Sequence, residues 1–346
     1  MFSRRARVGL ETLLQNIHDS DTTRNAMVRA FLAADGEFVS GEMLSQKLGV
    51  TRTAIWKHIN TLESLGFVFE SIHRRGYRLT YIPDIILEPL LEPHLAPTTK
   101  LGRSVIYLKE VDSTNAAAQK LVHQGAKHGT VVSAGLQTGG KGRRGRVWFS
   151  PKGGLWLSII TRQPFPLQRA AELTLLASVG IRRAIHKVSG IDVRIKWPND
   201  LLLNEKKVCG ILAEIRADGE NVHYAVIGFG INTNIERNLF PEQLETIATS
   251  LYGETGKQIS NVALAGEILN ELDPLFTNLA AGTSGFRDVL SEWKEGCATL
   301  GKRIHIQTPR TLLTGTAVDV DALGILYIKQ DNGEIIPVHS GDILFD

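Results

Sequence analysis

Gly139-Gly140-Lys141-Gly142-Arg143-Arg144-Gly145-Arg146, followed fifty residues later by Lys196-Trp197-Pro198-Asn199-Asp200, is the pairing on which the reading of this 346-residue chain turns. Glycines let a backbone approach phosphate closely and point several N–H groups at it. The interleaved Lys141, Arg143, Arg144 and Arg146 add charge against a polyanion. Three familiar glycine loops nearly fit. From Gly135 to Gly142 the spacing is that of a P-loop, but Gly142 stands where a hydroxyl is needed to hold magnesium. Gly140, Gly142 and Gly145 satisfy a dinucleotide fingerprint, yet Val147-Trp148-Phe149-Ser150-Pro151 follows where a helix should start, and Pro151 blocks one. With Val147 the segment matches a kinase glycine loop, but no Val-Ala-Ile-Lys, His-Arg-Asp or Asp-Phe-Gly appears downstream. The loop therefore belongs to none of the three folds these motifs mark.

Around it, residues 104–108, 129–136, 155–161, 193–197, 207–216 and 222–231 read as strands, several of them β-branched or alternating. Two long helices are expected, over 167–188 and 261–281; the second carries Leu264, Ile268, Leu272, Leu275, Phe276 and Leu279 on one stripe. Adjacent hairpin-like strands argue for a mixed sheet rather than a doubly wound parallel one. Downstream of Leu300, short strands at 303–307, 315–320, 326–330 and 335–339 recur about every ten residues, which suggests a small SH3-like β-barrel.

Upstream, Pro83, Pro89, Pro93 and Pro97 crowd into fifteen residues and read as a linker or extended lead-in. Before them, helices are expected over 25–35, 40–48 and 51–65, with Leu44, Leu48, Ile55, Ile59 and Leu62 at helical spacing and Thr51 as an N-cap. Strands at 67–72 and 77–79 flank a basic turn, His73-Arg74-Arg75-Gly76. This is a winged helix-turn-helix layout. Thr51, Arg52, Thr53, Trp56 and Lys57 would face a major groove, with Arg74 and Arg75 at phosphates or the minor groove. A three-helix protein-interaction module would show the same pattern, and Trp56 and Tyr77 could equally be core aromatics.

The composition is that of a soluble globular protein, 43% hydrophobic and 22% charged. No apolar run is long enough to span a bilayer and the N-terminus lacks a signal core, so a cytoplasmic protein with no membrane partner is expected. Cys209 and Cys297 form no paired motif, which excludes a disulfide framework and a thiolate zinc site. The net charge of +3 resides in residues 1–81, with 11 basic against 8 acidic residues. The whole reads as an α+β multidomain chain: an N-terminal extension (1–24), a winged-helix domain (25–82), a linker (83–99), a mixed α/β catalytic domain (100–298) and a C-terminal SH3-like domain (299–346).

Asp112-Ser113-Thr114-Asn115, Gln137 with the Gly/Arg loop, Lys196-Trp197-Pro198-Asn199-Asp200, Lys207-Val208-Cys209-Gly210-Ile211-Leu212 and Gly228-Phe229-Gly230-Ile231-Asn232 occur in that order. At this point the chain resembles the bifunctional biotin–protein ligases that also repress transcription, from roughly residue 26 to the C-terminus. The resemblance implies activation of biotin by ATP, with Mg2+, to biotinoyl-5′-AMP, and transfer to a lysine of biotin carboxyl carrier protein. It also implies that the adenylate acts as corepressor, favouring a homodimer on an inverted-repeat operator. Biotin would be met by Ser113, Thr114, Asn115, Gln137, Gly140, Lys141, Arg143, Trp148, Lys207, Gly210, Gly228 and Gly230. Ser and Thr here could instead be turn or cap residues, and a strand glycine a bulge. The nucleotide would be held by Lys141, Arg143, Arg144, Arg146, Asn199, Asp200 and Asn232, with Asn232 reading adenine.

Because the attacking group is already a carboxylate, the first step needs charge neutralisation more than acid–base work. On the resemblance, Arg143 and Lys207 bridge carboxylate and α-phosphate, while Asp200 orients the lysine amine or magnesium. Lys141 stands where the family often has arginine, keeping charge but not bidentate geometry. Residues 139–149 are expected to close over the adenylate. Two other readings remain: a lipoate or octanoate ligase, which shares this chemistry, and a biotin-sensing repressor without catalysis.

Overall fold

A computed structural model describes residues 22–282, 286–308 and 311–345, so most of the expected N-terminal extension lies outside the described residues. The chain divides into two compact units at Pro89/Leu90. In the first, helix α1 (22–33), α2 (Gly41–Leu48) and α3 (Arg52–Ser64) precede the hairpin β1 (Val68–Ile72) and β2 (Gly76–Tyr81). Ser40 caps α2 by accepting from Met43 N–H, and Gly49 ends it in the left-handed region. Thr51 caps α3, as expected. Leu44, Ile55, Ile59 and Leu62 are buried, which confines the exposed side of α3 to its polar residues and Trp56. The second strand of the hairpin is three residues longer than expected, and Arg74 takes a left-handed φ of 65° at its tip.

The second unit begins within the stretch expected to be a linker or an extended lead-in. A short α4 (Glu88–Leu91) lies in it, and the turn after that is fastened to a helix far along the chain. Asn270 Oδ1 accepts from Ala96 N–H (2.9 Å) and Thr99 Oγ1 (2.8 Å), and its Nδ2 donates to His94 O (2.9 Å). Leu90, Leu91 and Leu95 are buried. Prolines here shape a packed turn rather than a tether, because the leucines between them lose contact with water only by docking.

The central sheet comprises β3 (Ser104–Leu108), β4 (Thr130–Ala134), β5 (Leu155–Thr161), β7 (Arg194–Lys196), β8 (Asp200–Leu203), β9 (Lys206–Asp218) and β10 (Asn221–Ile231). Its order is β3-β4-β5-β10-β9-β8-β7, with the short β6 (Phe165–Pro166) also on β10. Only β3 and β4 run parallel within it, so the sheet is mixed. Every residue of β4 and β5 is buried, the pattern of strands covered on both faces. Helix α5 (Thr114–His123) packs on β4, β5 and β10 through Ala118 and Val122 against Val132, Ile160 and Val226. Helix α6 (Glu172–Ser189) packs on β9 and on α8 (Asn261–Ala281). Pro274 sits inside α8, removing one donor without ending the helix.

The short α7 (Leu251–Thr255) and α9 (Phe286–Glu295) complete the helices, and Trp293 of α9 is fully buried. The C-terminal strands β11 (Arg303–Gln307), β12 (Leu312–Val320), β13 (Leu326–Lys329), β14 (Ile335–Val338) and β15 (Asp342–Phe345) form one antiparallel sheet, ordered β14-β13-β12-β11-β15. No described helix is long and apolar enough to cross a membrane. Cys209 and Cys297 are buried free thiols, and burial pushes both above the usual thiol range.

Candidate functional site

Strands β9 and β10 build the floor of a cavity of about 530 Å³. Gly230 lies opposite Gly210 in their register, and Gly228 opposite Leu212. A Cβ at Gly230 would come within 2.2 Å of Trp148 Nε1, and one at Gly228 within 1.9 Å of Asn115 Oδ1. These strand glycines, expected to meet biotin, line the cavity, and their missing side chains make room for the Trp148 indole and the Asn115 amide. Trp148 Nε1 is buried with no hydrogen-bond partner, a donor left for something else in the cavity.

Behind that floor runs a chain of polar groups at the N-terminus of α5. Ser113 is the helix N-cap, its hydroxyl accepting from Ala116 N–H (3.4 Å), so the capping alternative holds for this side chain. Thr114 N–H donates to Gln137 Oε1 (2.8 Å), whose Nε2 donates to Ser150 Oγ (2.8 Å). Ser158 Oγ donates to Asn115 Oδ1 (2.6 Å) and lies 2.8 Å from Thr114 Oγ1; Asn115 Nδ2 donates to Glu214 Oε2 (2.8 Å). The chain fixes which way each amide points, since an amide oxygen only accepts and its nitrogen only donates. Ser150, Ser158 and Glu214 carry no motif, so only the fold could reveal their part in it.

At the other side of the cavity the charges gather around the Lys196-Trp197-Pro198-Asn199-Asp200 turn, whose Trp197-Pro198 bond is cis. Arg143 Nη1 donates to Asn199 Oδ1 (3.1 Å). Asn199 is itself anchored to β9: Asn199 Nδ2 donates to Ile211 O (2.8 Å) and Ile211 N–H to Asn199 O (2.9 Å). Lys207 Nζ pairs with Asp200 Oδ1 (2.7 Å) and stands 4.9 Å from the centre of the Trp148 ring. Burial pulls Arg143 below the usual guanidinium range, with Asp342 the main charge opposing the shift. Asn232 is buried; its Nδ2 donates to Thr249 O (2.9 Å), and its Oδ1 has no partner.

The Gly/Arg loop is a small hairpin. Gly142 N–H donates to Arg146 O (2.7 Å) and Trp148 N–H to Gly140 O (2.8 Å), with Arg144 (φ 56°) and Gly145 (φ 74°) at the tip. No helix follows before β5, in keeping with the rejection of the P-loop and dinucleotide readings. Lys141, Arg143 and Arg146 line the cavity, whereas Gly140 and Arg144 do not. Gly140 lies beneath, where a Cβ would meet Trp148 O at 2.4 Å, and Arg144 turns to the C-terminal sheet. There Asp342 of β15 holds both Arg144 (3.2 Å) and Arg146 (2.5 Å). The remaining expected contacts, from Ser113 to Asn232, all line the cavity. No described cluster of three or more His, Cys, Asp or Glu side chains could hold a metal by itself.

On the winged module, Thr51, Arg52, Thr53, Trp56, Lys57, Arg74 and Arg75 are all exposed, Trp56 by 54%, so Trp56 is not a core aromatic. Arg75 stacks on the Phe38 ring (4.3 Å), which steadies the wing, and Arg78 pairs with Glu70. Among the described residues Arg52 is tied only to the exposed Glu42 (2.9 Å), a contact easily exchanged for phosphate.

Residues 107–232 match the Biotin/lipoate A/B protein ligase family, 23–78 a helix-turn-helix domain, and 299–346 the Biotin protein ligase C terminal domain. The chain is 37% identical over 323 residues to the bifunctional ligase/repressor BirA of Bacillus subtilis, covering 93% of this chain and 98% of that one. With BirA of Escherichia coli it shares 32% identity over 313 residues, 90% and 94% of the two chains. The solved structure of biotin protein ligase from Aquifex aeolicus in complex with biotin and ATP superposes with a TM-score of 0.60 at 28% identity, covering 70% of this chain and 99% of that one.

Proposed function

The chain belongs to the bifunctional biotin–protein ligase/repressor family, and from that premise we propose a division of labour among its cavity residues. It is a ligase for which biotin and ATP are substrates and a carboxyl carrier protein the acceptor, and its winged module binds DNA. In the first step a biotin carboxylate oxygen attacks the α-phosphorus, the bond to the β-phosphate oxygen breaks, and pyrophosphate leaves. Negative charge grows on the α-phosphoryl oxygens and the leaving group. Arg143 and Lys207 meet it, each already steadied by a neighbour in the same turn, Asn199 and Asp200. That convergence of two cations from separate segments on the adjacent Asn199 and Asp200 of one turn is the observation carrying the assignment.

Asn115, Thr114 and Gln137, locked by their hydrogen bonds, present a fixed pattern to the ureido ring, and Trp148 Nε1 supplies a free donor. The unpartnered Asn232 Oδ1 accepts from the adenine amino group. Mg2+ arrives on the phosphates of ATP. A single carboxylate beside phosphate suits it, since Mg2+ binds through one or two carboxylates with substrate oxygens and water, and Asp200 is the carboxylate in place. Its charge would be added to that of Arg143 and Lys207 in neutralising the leaving group. In the second step the acceptor amine attacks the acyl carbon and AMP departs, with Asp200 orienting the amine. Closure of residues 139–149 keeps water from the mixed anhydride. The adenylate-bound form is the corepressed state, dimeric on an inverted repeat, where two winged helices read two half-sites.

Pyrophosphate exchange into ATP, with biotin, lipoate or octanoate as the acid, tests this. Exchange with biotin alone supports it. Biotin binding without exchange would leave only a sensing repressor, and exchange with lipoate or octanoate would shift the substrate.

A further inference from the structure

We propose that Lys196 is an additional contact for the nucleotide polyphosphate and that Phe345 of the C-terminal sheet positions it. The inference rests on the ligase reading. Lys196 and Asp200 face each other across the β7–β8 hairpin, and both line the cavity. The Asp200 carboxylate is paired directly with Lys207 at 2.7 Å, so it acts on Lys196 only at a distance. Among the described residues Lys196 has no hydrogen bond or ion pair. Its partner is the Phe345 ring, with Nζ 4.8 Å from the centroid.

Lys302 stands at the same distance from that ring but is paired with Glu205 (3.0 Å), which leaves Lys196 as the one of the two without an ion pair. A half-buried ammonium without a direct ion pair is unfavourable, and burial pulls Lys196 below the usual lysine range, with Asp200 the main charge opposing the shift. With Lys141, Arg143, Arg146 and Lys207 it makes five cations lining the cavity against the three carboxylates of Asp200, Glu205 and Asp342. A polyanion entering the cavity relieves that excess. The α-phosphoryl group is served by Arg143 and Lys207, so Lys196 joins Lys141 and Arg146 as the charges left for the departing pyrophosphate. Phe345 acts through Lys196: its ring face attracts the ammonium and restrains a four-carbon stem that would otherwise lose entropy on binding.

The test is steady-state pyrophosphate exchange with biotin, varying MgATP and inorganic pyrophosphate separately. For Lys196→Met the KM for ATP and the half-saturating pyrophosphate are each expected to rise roughly tenfold, as for loss of one charge-assisted contact. The Kd for biotin, measured by calorimetry, should stay within about twofold of the parent value. Lys196→Arg should restore most of the loss, and Phe345→Leu should raise the same two constants by a smaller factor. Unchanged ATP and pyrophosphate constants in Lys196→Met overturn the proposal. If that variant does not fold, unchanged constants in Phe345→Leu overturn it instead. Failure of the parent protein to exchange with biotin is a different outcome, and removes the ligase reading itself.

Discussion

Trp148 lies over Gly230 so closely that a Cβ there would come within 2.2 Å of the indole Nε1. Because Trp148 also stacks against Lys207 at 4.9 Å, the glycine controls the position of an apolar wall and of a reacting cation together.

Gly230→Ala should therefore displace the indole rather than unfold the sheet, since overpacking of this kind costs about 1–3 kcal/mol. Biotin affinity is expected to fall roughly tenfold or more, with a shift in tryptophan emission. Titration calorimetry and fluorescence check it; unchanged affinity would mean that Trp148 does not shape the ligand site.

Arg143→Ala and Lys207→Ala should each lower adenylate formation by about 10²–10³, the range for loss of a donor aimed at developing charge. Arg143→Lys should recover little, because the bond to Asn199 uses the guanidinium fork. Single-turnover formation of the adenylate separates this from any change in biotin binding.

Asp342 restrains two arginines of the loop through partly exposed ion pairs, so its removal should cost little global stability, about 0.5 kcal/mol. Locally the effect should be larger. Asp342→Asn is expected to speed proteolytic cutting at residues 143–146 in ligand-free protein, and ATP with biotin should restore protection. Equal cutting rates in parent and variant would show that the ion pairs do not hold the hairpin.

Glu254 braces the segment that holds Asn232, and hydrogen bonds from Thr249 (2.6 Å) and Asn204 (2.7 Å) together with Arg237 hold its carboxyl below its ordinary value of 4.5. A carboxyl depressed in the fold contributes stability that is complete above 4.5 and is lost as pH falls through the lowered value. Glu254→Gln should thus flatten the acid side of the Tm against pH curve, while lowering Tm at pH 7. An acid limb identical to the parent's would contradict it.

Arg75→Ala should weaken binding to duplex DNA and reduce the slope of log affinity against log salt by about one. Biotin activation should be unaffected, since Arg75 belongs to the winged module. A salt slope equal to the parent's would remove Arg75 from the phosphate contacts.

The winged module was readable almost residue by residue, because its signals are local: Thr51 as a cap, Leu44, Ile55, Ile59 and Leu62 at helical spacing, and a glycine-ended basic turn. The six central strands were legible for the same reason, as short β-branched runs. Helix α5 was not, because its cap Ser113 and its first residues Thr114 and Asn115 belong to the ligand-like motif Asp112-Ser113-Thr114-Asn115. Strand β8 was overlooked because its four residues directly follow the proline turn.

The sequence by itself determined the order of the modules, the family and the charged groups available, since each rests on neighbouring residues and their spacing. Tertiary structure alone decided that Trp148 and Asn115 fill the space above the glycines, that Glu214 and Ser158 lock Asn115, and that Asp342 and Phe345 of β15 reach the loop and Lys196. Those pairs are separated by up to about two hundred residues and are joined by sheet register and burial, which act through space and leave no periodic trace along the chain.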